Sequence, residues 1–326
     1  MSAKPSSNGS PAGPIGPTGK DGPDRQDVQG GERDPADAWH SCDCGDKHWG
    51  SRGAAGTLII RDRDVLLQLR PPGLHHGGSW GLPGGARKTG EAPLGAALRE
   101  CQEETGLDPG FLEPVWWWVA SHGGWSYTTF GAQLREGADP AGVSRAGTPP
   151  GAAGNPNWET AALEWVPADQ VADRDLHPGF AAAWPDLKRV LGQRMGLIVD
   201  TANVMGSRPD GWWKDRAGAA VRLRNQLEPV ASSGLANVLP DGPSGWFPEV
   251  VMVVEGRARG IDQGESVTVV HAPGEGDDQI VKEARRALEK GRSPVMVVTA
   301  DKGLIGRLGR AGTDIMRPGR LLALIG

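Results

Sequence analysis

Hydrophobic positions follow different patterns in the two halves of the chain. Before about Gly192, short apolar runs alternate with polar turns and with loops rich in Gly and Pro. From Met195 onward, runs that are apolar throughout alternate with helical stretches. Strands of that kind, separated by helices, are typical of a parallel sheet covered on both faces. The pattern therefore predicts two α/β domains with a boundary at about residues 192–195.

The first half is predicted to fold from about Gly53 into strands around one main helix. The first two apolar runs are separated by a polar turn that contains two Asp residues, which is typical of a hairpin. The main helix covers residues 92–105, and Gly106 follows it at a position where glycine commonly ends a helix. Strands are predicted at residues 56–60, 65–70, 115–120, 126–134 and 163–166, and a second helix, interrupted by Pro185, at residues 180–191.

The second half is predicted to be an open sheet whose strands are connected by helices. Most neighbouring apolar runs are separated by a helical stretch. This alternation is that of βαβ units, whose strands run parallel. Strands are predicted at residues 196–199, 250–254, 267–270, 295–298 and 321–325, and helices at residues 213–227, 278–290 and 302–310.

The composition of the first residues predicts a tail before the two domains. Residues 1–37 are rich in Gly, Pro and Ser and have few large apolar side chains, so they bury too little surface to offset the entropy of ordering. Residues 1–52 are therefore predicted to be a disordered tail and leader. The formal net charge of −5 argues against a basic nucleic-acid footprint over the whole molecule but is compatible with a local basic patch.

The apolar runs, the N-terminus and the cysteines bear on the expected location of the protein and on its disulfides. No apolar run approaches the ~18 residues that a membrane helix needs. The N-terminus has no apolar signal core, so a cytoplasmic protein with no membrane partner is expected. Its three cysteines, Cys42, Cys44 and Cys101, do not suggest a disulfide framework.

An acidic cluster in the main helix of the first half is the clearest chemical signal. Glu100, Glu103 and Glu104 are spaced i, i+3 and i+4, so they lie on one helix face. Their mutual repulsion would be offset by a divalent cation, and oxygen-rich sites suit Mg²⁺ or Mn²⁺. For the bare cluster, a solvated acidic helix face is the alternative.

The surrounding residues resemble the signature of the Nudix hydrolase family. That signature is Gly-x5-Glu-x7-Arg-Glu-U-x-Glu-Glu-x-Gly-U, where U is a large aliphatic residue. Every fixed position matches, and Cys101 stands where a large aliphatic residue is usual. The resemblance covers about residues 53–191 and implies an α/β/α sandwich with a mixed sheet. The matching residues are Gly85, Glu91, Arg99, Glu100, Glu103, Glu104, Gly106 and Leu107.

The same resemblance implies an activity and roles for individual residues. The activity is attack of water on a phosphorus of a nucleoside diphosphate linked to another moiety, with Mg²⁺ or Mn²⁺ as cofactor. Arg99 would orient the acids and Glu91 would support them. The implied metal ligands are Glu100, Glu103, Glu104 and the carbonyl of Gly85.

The catalytic base and the base-stacking residues are left open by the sequence. Glu103 or Glu104 is one source of the base, and a later acid is another, with Glu159 preferred over Glu164. Several tryptophans could stack on a nucleobase or simply pack in the core. They are Trp116, Trp117, Trp118, Trp125 and Trp158.

A second set of polar residues follows strands of the second half. Functional groups collect at the carboxyl ends of parallel strands, where acids from separate segments would make a cation site. Helix capping is the alternative for each Asp taken singly. The set consists of Asp200, Asn203, Asp278, Thr299 and Asp301.

In their order along residues 195–326, these residues resemble the NYN/PIN-like nucleases, especially the YacP-like branch. The resemblance implies a PIN-like α/β/α domain with a mainly parallel sheet, and a Mg²⁺-dependent ribonuclease with RNA as a possible partner. The alternative is a non-catalytic module that binds RNA or another partner, with only the Nudix site active. In a third interpretation both halves are regulatory and the Nudix fold senses a nucleotide.

A short segment before the first domain offers ligands of another kind. Cys42, Cys44 and His48 lie within a few residues of His40, and zinc uses such side chains. The Cys-x-Cys spacing is unusual for a zinc knuckle, so an ordered leader strand or loop is the alternative.

Overall fold

The structure is a computed structural model that describes residues 34–43, 45–135, 144–145 and 159–326. Its contacts divide the chain into two compact units. The first comprises the described residues of Met1–Glu113 and Trp118–Leu191, and the second comprises Pro114–Trp117 and Gly192–Gly326.

The first unit contains a mixed sheet, a small N-terminal hairpin and two helices. The hairpin is formed by β1 (Trp39–Ser41) and β2 (Lys47–Trp49). The helices are α1 (Pro93–Thr105) and α2 (Pro178–Val190). The remaining strands are β3 (Ala54–Arg61), β4 (Asp64–Leu69), β5 (Trp80–Gly81), β6 (Gly84–Ala86), β7 (Leu112–Ser121), β8 (Ser126–Leu134), β9 (Ser144–Arg145) and β10 (Ala162–Pro167).

The sheet of the first unit is organised around β3. Its strand order is β7-β8-β3-β4-β10-β9, with β5 pairing with β4 and β6 pairing with β3. β3 runs parallel to β8 and antiparallel to β4 and β6, so the sheet is mixed, as predicted. All but the last residue of β3 are buried, because the strand is covered on both faces. Its core partners are Leu66, Cys101, Leu107, Leu112, Ala132 and Trp165.

Helix α1 begins and ends where the sequence predicts. Pro93 stands at its first turn, where a missing backbone N–H costs no helical hydrogen bond. Gly106 ends it in the left-handed region at φ 72°, and its N–H donates to the carbonyl of Gln102. Cys101 is a residue of α1 and is fully buried. It therefore occupies the position of a large aliphatic residue as a small hydrophobic side chain.

The ordered chain starts earlier than Gly53. Trp39 pairs with Trp49 across the β1–β2 hairpin. Each strand has only three residues, which is too short for an alternating pattern to stand out in the sequence. The ring of His48 stacks on that of Trp125 at 4.3 Å between centroids, which ties the hairpin to the sheet.

The second unit contains a five-stranded sheet in the order β15-β14-β11-β16-β17, and all its pairings are parallel. This confirms the predicted parallel sheet. The strands of the unit are β11 (Gly196–Asp200), β12 (Leu235–Ala236), β13 (Gly245–Trp246), β14 (Glu249–Val254), β15 (Val267–His271), β16 (Val295–Val298) and β17 (Asp314–Met316). Its helices are α3 (Thr201–Gly206), α4 (Arg216–Leu227), α5 (Val230–Ser233), α6 (Gly276–Glu289), α7 (Lys302–Leu308) and α8 (Pro318–Ile325).

Several elements of the second unit differ from the predictions. Residues 321–325 were predicted as a strand but belong to α8, which starts at Pro318 and buries Leu321 while Leu324 is exposed. That one-sided burial is helical, and an apolar run of five residues does not by itself distinguish a helix from a strand. The fifth strand is instead β17, and α3, which begins directly after Asp200, was not predicted.

No helix within the described ranges is both long and apolar enough to cross a membrane.

Replacement of Ile59 by Ala tests the core of the first unit. Ile59 is fully buried between the sheet and α1, so the truncation removes apolar burial and leaves a cavity. We expect a loss of about 2–5 kcal/mol in the free energy of unfolding. The measurement is denaturant unfolding followed by circular dichroism. Val119→Ala, at an exposed position of β7, is the matched control, and an equal effect of both substitutions would contradict this core assignment.

Candidate active site

The carboxylates of three glutamates lie close together in the first unit, next to β6. Glu100 and Glu104 project from α1, and Glu159 comes from the segment that leads to β10. One oxygen from each carboxylate lies within 4.8 Å of the other two. Glu100 is 9% exposed and Glu104 is 3% exposed, so water screens their repulsion poorly.

Two glycines of β6 make the close approach to these acids possible. A Cβ atom on Gly85 would lie 2.8 Å from the carboxyl group of Glu100. A Cβ atom on Gly84 would lie 2.6 Å from the carbonyl oxygen of Ala55. The backbone N–H of Gly84 donates to Oε2 of Glu104 at 2.7 Å. A side chain at Gly85 would therefore displace Glu100, and one at Gly84 would push β6 away from β3.

Arg99 links the acids of α1 to the segment before the helix. Its Nε donates to Oε1 of Glu91 at 2.8 Å, and its Nη1 donates to Oε1 of Glu100 at 2.6 Å. The same Nη1 contacts Oε2 of Glu103 at 3.2 Å, and Nη2 donates to the carbonyl of Ala86 at 3.1 Å. The planar guanidinium therefore fixes these carboxylates at defined angles.

A second set of hydrogen bonds positions the segment that carries Glu159. The buried amide of Gln68 donates to Oγ1 of Thr160 at 2.9 Å and to the carbonyl of Glu159 at 3.3 Å. Oγ1 of Thr160 donates in turn to the carbonyl of Glu104 at 3.0 Å. The sequence interpretation missed both residues, since a lone Gln in an apolar strand and a lone Thr carry no motif.

Burial dominates the electrostatics of the two helix carboxyls. Together with the negative charge of the neighbouring Glu100, it raises the pKa of Glu104 to about 8. Burial also raises the pKa of Glu100 to about 7, although the Arg99 guanidinium opposes this. Arg99 holds the pKa of Glu91 below its usual range, mainly through their hydrogen bonds. The site thus disfavours two bare negative charges and favours a cation between them.

The acids that were singled out in the sequence divide into two groups. Glu100, Glu104 and Glu159 come together, and Gly85 lies against Glu100. Glu103 lies outside this triplet, with its half-exposed carboxylate against Arg99. Glu164, the less favoured candidate for the base, pairs with Arg174 at 2.6 Å.

A pocket of about 150 Å³ opens beside the acids. It is lined by all three carboxylates and by apolar and aromatic side chains that include Trp39, Trp49 and Phe180. The tryptophans proposed from sequence for base stacking are placed differently. Trp116 and Trp125 are buried, Trp117 and Trp118 are half-buried but do not line this pocket, and Trp158 lies outside the described residues.

In the second unit, the residues after β11 and β16 contact one another. Oγ1 of Thr299 donates to Oδ2 of Asp200 at 2.8 Å, and the N–H of Ala300 donates to Oδ1 of Asn203 at 2.9 Å. Asp200 also caps α3 through the N–H of Asn203, and Asp301 caps α7 through that of Leu304. Burial raises the pKa of Asp200.

The helix α6 presents a different acid from the one singled out in the sequence. Asp278 is exposed and pairs with Arg307 at 2.6 Å. Asp277 instead has its pKa raised by burial and by the negative charges of Asp301 and Glu255. Oε2 of Glu255 accepts from the N–H of Gly276 at 2.6 Å, so the end of β14 also reaches this region. The one-residue difference follows from the helical phase of α6, which the sequence did not fix.

The candidate zinc ligands are only partly described. The thiol of Cys42 donates to the carbonyl of His122, and His48 is buried against Trp125. Cys44 lies outside the described residues. The zinc site therefore stays a prediction.

Comparison with known proteins identifies the family of the first unit. The Nudix domain model matches residues 50–187. A protein of Mycobacterium tuberculosis named "Putative 8-oxo-dGTP diphosphatase 3" is 40% identical over 167 residues, which cover 48% of this chain and 70% of that protein. A crystallised Nudix hydrolase from M. smegmatis is 40% identical and covers 47% of this chain and 94% of its own, with a TM-score of 0.40.

A further solved structure is similar at a lower level of identity. A crystallised YacP protein from Bacillus subtilis is 17% identical and covers 40% of this chain and 74% of its own, with a TM-score of 0.30, a likeness that identifies no activity. The first unit, by contrast, combines the family match with a close relative over most of that relative's length. The chain therefore belongs to the Nudix hydrolase family and is a pyrophosphatase.

Proposed function

We propose that the first unit hydrolyses the pyrophosphate of a nucleoside-diphosphate-type substrate at a divalent cation held by Glu100 and Glu104, with Glu159 beside them as the base. The observation that carries this proposal is the convergence of these three carboxylates within 4.8 Å beside a pocket of about 150 Å³.

The donor set fits Mg²⁺ or Mn²⁺. Glu100 and Glu104 offer carboxylate oxygens, which these hard cations prefer over nitrogen or sulfur. Glu100 and Glu104 have raised pKa values because they are buried near one another, and a cation would relieve both. When bound, the cation would polarise a phosphoryl oxygen and lower the pKa of a water molecule. The carbonyl of Gly85, beside Glu100, is a further candidate ligand.

The chain's own residues then have distinct proposed roles. Arg99 orients Glu100 and, through Glu91, the segment that precedes the helix. Glu104 receives the N–H of Gly84 and is the most deeply buried of the acids, which suits a ligand more than a base. Glu159 is the preferred base because it faces the pocket, and Glu103, half-exposed on the same helix, is the second candidate.

The substrate class is suggested by the relatives. One is named as an 8-oxo-dGTP diphosphatase, so an oxidised deoxyguanosine triphosphate is the first substrate to test. The pocket's mixture of acids with aromatic and apolar side chains suits a ligand that has both phosphates and a flat base.

Replacement of Glu159 by Gln tests the assignment of the base. The amide keeps the size of the side chain but cannot accept a proton, so we expect kcat to fall about 10²- to 10⁴-fold with the fold intact. The measurement is formation of the nucleoside monophosphate from nucleoside triphosphates with Mg²⁺, followed by chromatography. Glu164→Gln removes a carboxylate that pairs with Arg174 outside the acid triplet and serves as the matched control. If Glu103→Gln lost this activity and Glu159→Gln kept it, the base would be Glu103.

The raised pKa values predict an unusual dependence of stability on pH. A carboxyl whose pKa is higher in the folded state stabilises the fold below its unfolded pKa, and this contribution is lost as pH rises through the folded pKa. The folded values are about 7 for Glu100 and about 8 for Glu104. We expect the melting temperature of the metal-free first unit to fall between about pH 5 and pH 8.5, and Mg²⁺ to raise it most at the upper end.

Differential scanning calorimetry with EDTA and with Mg²⁺ measures this effect. The Glu100→Gln, Glu104→Gln double variant is the control, because it cannot titrate at these positions and should lose both the decline and the Mg²⁺ response. A parent whose melting temperature follows the same pH course as this variant would refute the pKa assignment.

A second function, metal-dependent RNA cleavage by the second unit, rests on a separate observation. Asp200, Asp277 and Asp301 follow three different segments at the carboxyl ends of parallel strands, and the pKa values of Asp200 and Asp277 are raised. The hydrogen bond between Asp200 and Thr299 aligns the first carboxylate toward that edge. Asp278, with its exposed ion pair, has a smaller proposed part than Asp277.

The double substitution Asp200→Asn and Asp301→Asn tests this function. Asn keeps the ability to cap α3 and α7, so we expect the fold and the pyrophosphatase activity to persist while Mg²⁺-dependent cleavage of short RNAs is abolished. Cleavage is measured by gel electrophoresis of labelled RNA. Absence of cleavage by the parent together with retained RNA affinity would favour a binding module instead.

A further inference from the structure

Two tryptophans of the N-terminal hairpin lie next to the proposed catalytic pocket. Trp39 and Trp49 pair directly across β1 and β2, and their ring centroids are 5.4 Å apart with the planes at 74°. The two rings therefore form a corner of two aromatic surfaces. Both residues precede the segment that matches the Nudix domain, which begins at residue 50.

The corner and the acids share one pocket. Trp39 and Trp49 line it together with Glu100, Glu104 and Glu159. Both tryptophans are half-buried, so part of each ring contacts the pocket. Trp125 and Trp165, by contrast, are each 2% exposed and belong to the core. A pocket with carboxylates and aromatic rings matches a molecule with a metal-bound pyrophosphate and a flat base.

The hairpin is held firmly to the unit that carries the acids. Oγ1 of Thr89, between β6 and α1, donates to Oδ1 of Asp34 at 2.8 Å. The N–H of Gly50 donates to the carbonyl of Ala38 at 3.0 Å, and Nε1 of Trp125 donates to the carbonyl of Gly50 at 2.9 Å. A wall that is ordered before the ligand arrives loses little conformational entropy on binding.

We propose that the β1–β2 hairpin supplies the nucleobase subsite of this pocket, with the rings of Trp39 and Trp49 packing against the base of a nucleotide whose pyrophosphate lies at the three carboxylates. This inference rests on the proposed pyrophosphatase site. It assigns base binding to a segment outside the residues that match the family.

The test compares the affinity for a ligand that has a base with the affinity for a ligand that has only phosphates. The full-length parent, Trp39→Ala and Trp49→Ala are titrated with α,β-methylene dGTP, which resists cleavage, and with inorganic tripolyphosphate, which has no base. Both titrations use isothermal calorimetry with Mg²⁺. Loss of a base–aromatic stack should raise the Kd for the nucleotide about 5- to 150-fold and leave the Kd for tripolyphosphate unchanged. Trp213→Ala, at an exposed tryptophan of the second unit, is the matched control.

Further variants distinguish the loss of an aromatic ring from a general loss of packing. Trp39→Phe and Trp49→Phe retain an aromatic ring and should restore most of the nucleotide affinity, whereas Trp39→Leu and Trp49→Leu should not. The Leu variants also replace the Ala variants if these fail to fold by circular dichroism. Equal weakening for both ligands, or unchanged nucleotide affinity in all folded variants, would overturn the inference. A parent that neither binds the analogue nor hydrolyses nucleoside triphosphates would instead refute the proposed function.

Discussion

The repulsion among buried carboxylates is the constraint on which the rest of the first unit depends. Glu100 and Glu104 are almost completely removed from water, and Glu159 is brought to within 4.8 Å of both. Such an arrangement persists only if its surroundings hold it in place. The Arg99 guanidinium, the N–H of Gly84 and the hydrogen bonds of Gln68 and Thr160 do so from separate sides. The raised pKa values of Glu100 and Glu104 mean that protons relieve this repulsion near neutral pH, and the proposed cation would take their place.

The parts of the fold that were predictable are those with long, regular patterns. The helix that ends at Gly106 was readable because it has 13 residues, and four of the five strands of the parallel sheet were readable as apolar runs between helical stretches. The β1–β2 hairpin was missed because its strands have three residues each. Residues 321–325 were assigned to the wrong element because a short apolar run suits a helix end and a strand equally well.

The candidate sites were predictable where residues are neighbours on one helix, and not where they come from separate segments of the chain. Spacing along α1 placed Glu100 and Glu104 on one face, since neighbours on a helix are fixed by its geometry. Helix geometry alone does not show that Glu103 contacts Arg99. It also does not show that Gln68 positions the segment that carries Glu159. For the second unit the sequence interpretation named Asp278, which is exposed and pairs with Arg307, whereas burial and neighbouring acids raise the pKa of Asp277.

The hydrogen bonds between Asp34 and Thr89 bear on where this chain can be shortened. They join the segment just before the hairpin to the turn that precedes α1. Trp39 and Trp49 both precede the matching residues, whereas the three carboxylates lie within them. A fragment trimmed to residues 50–187 would therefore keep the acids and lose the two rings that we propose as the wall for the base.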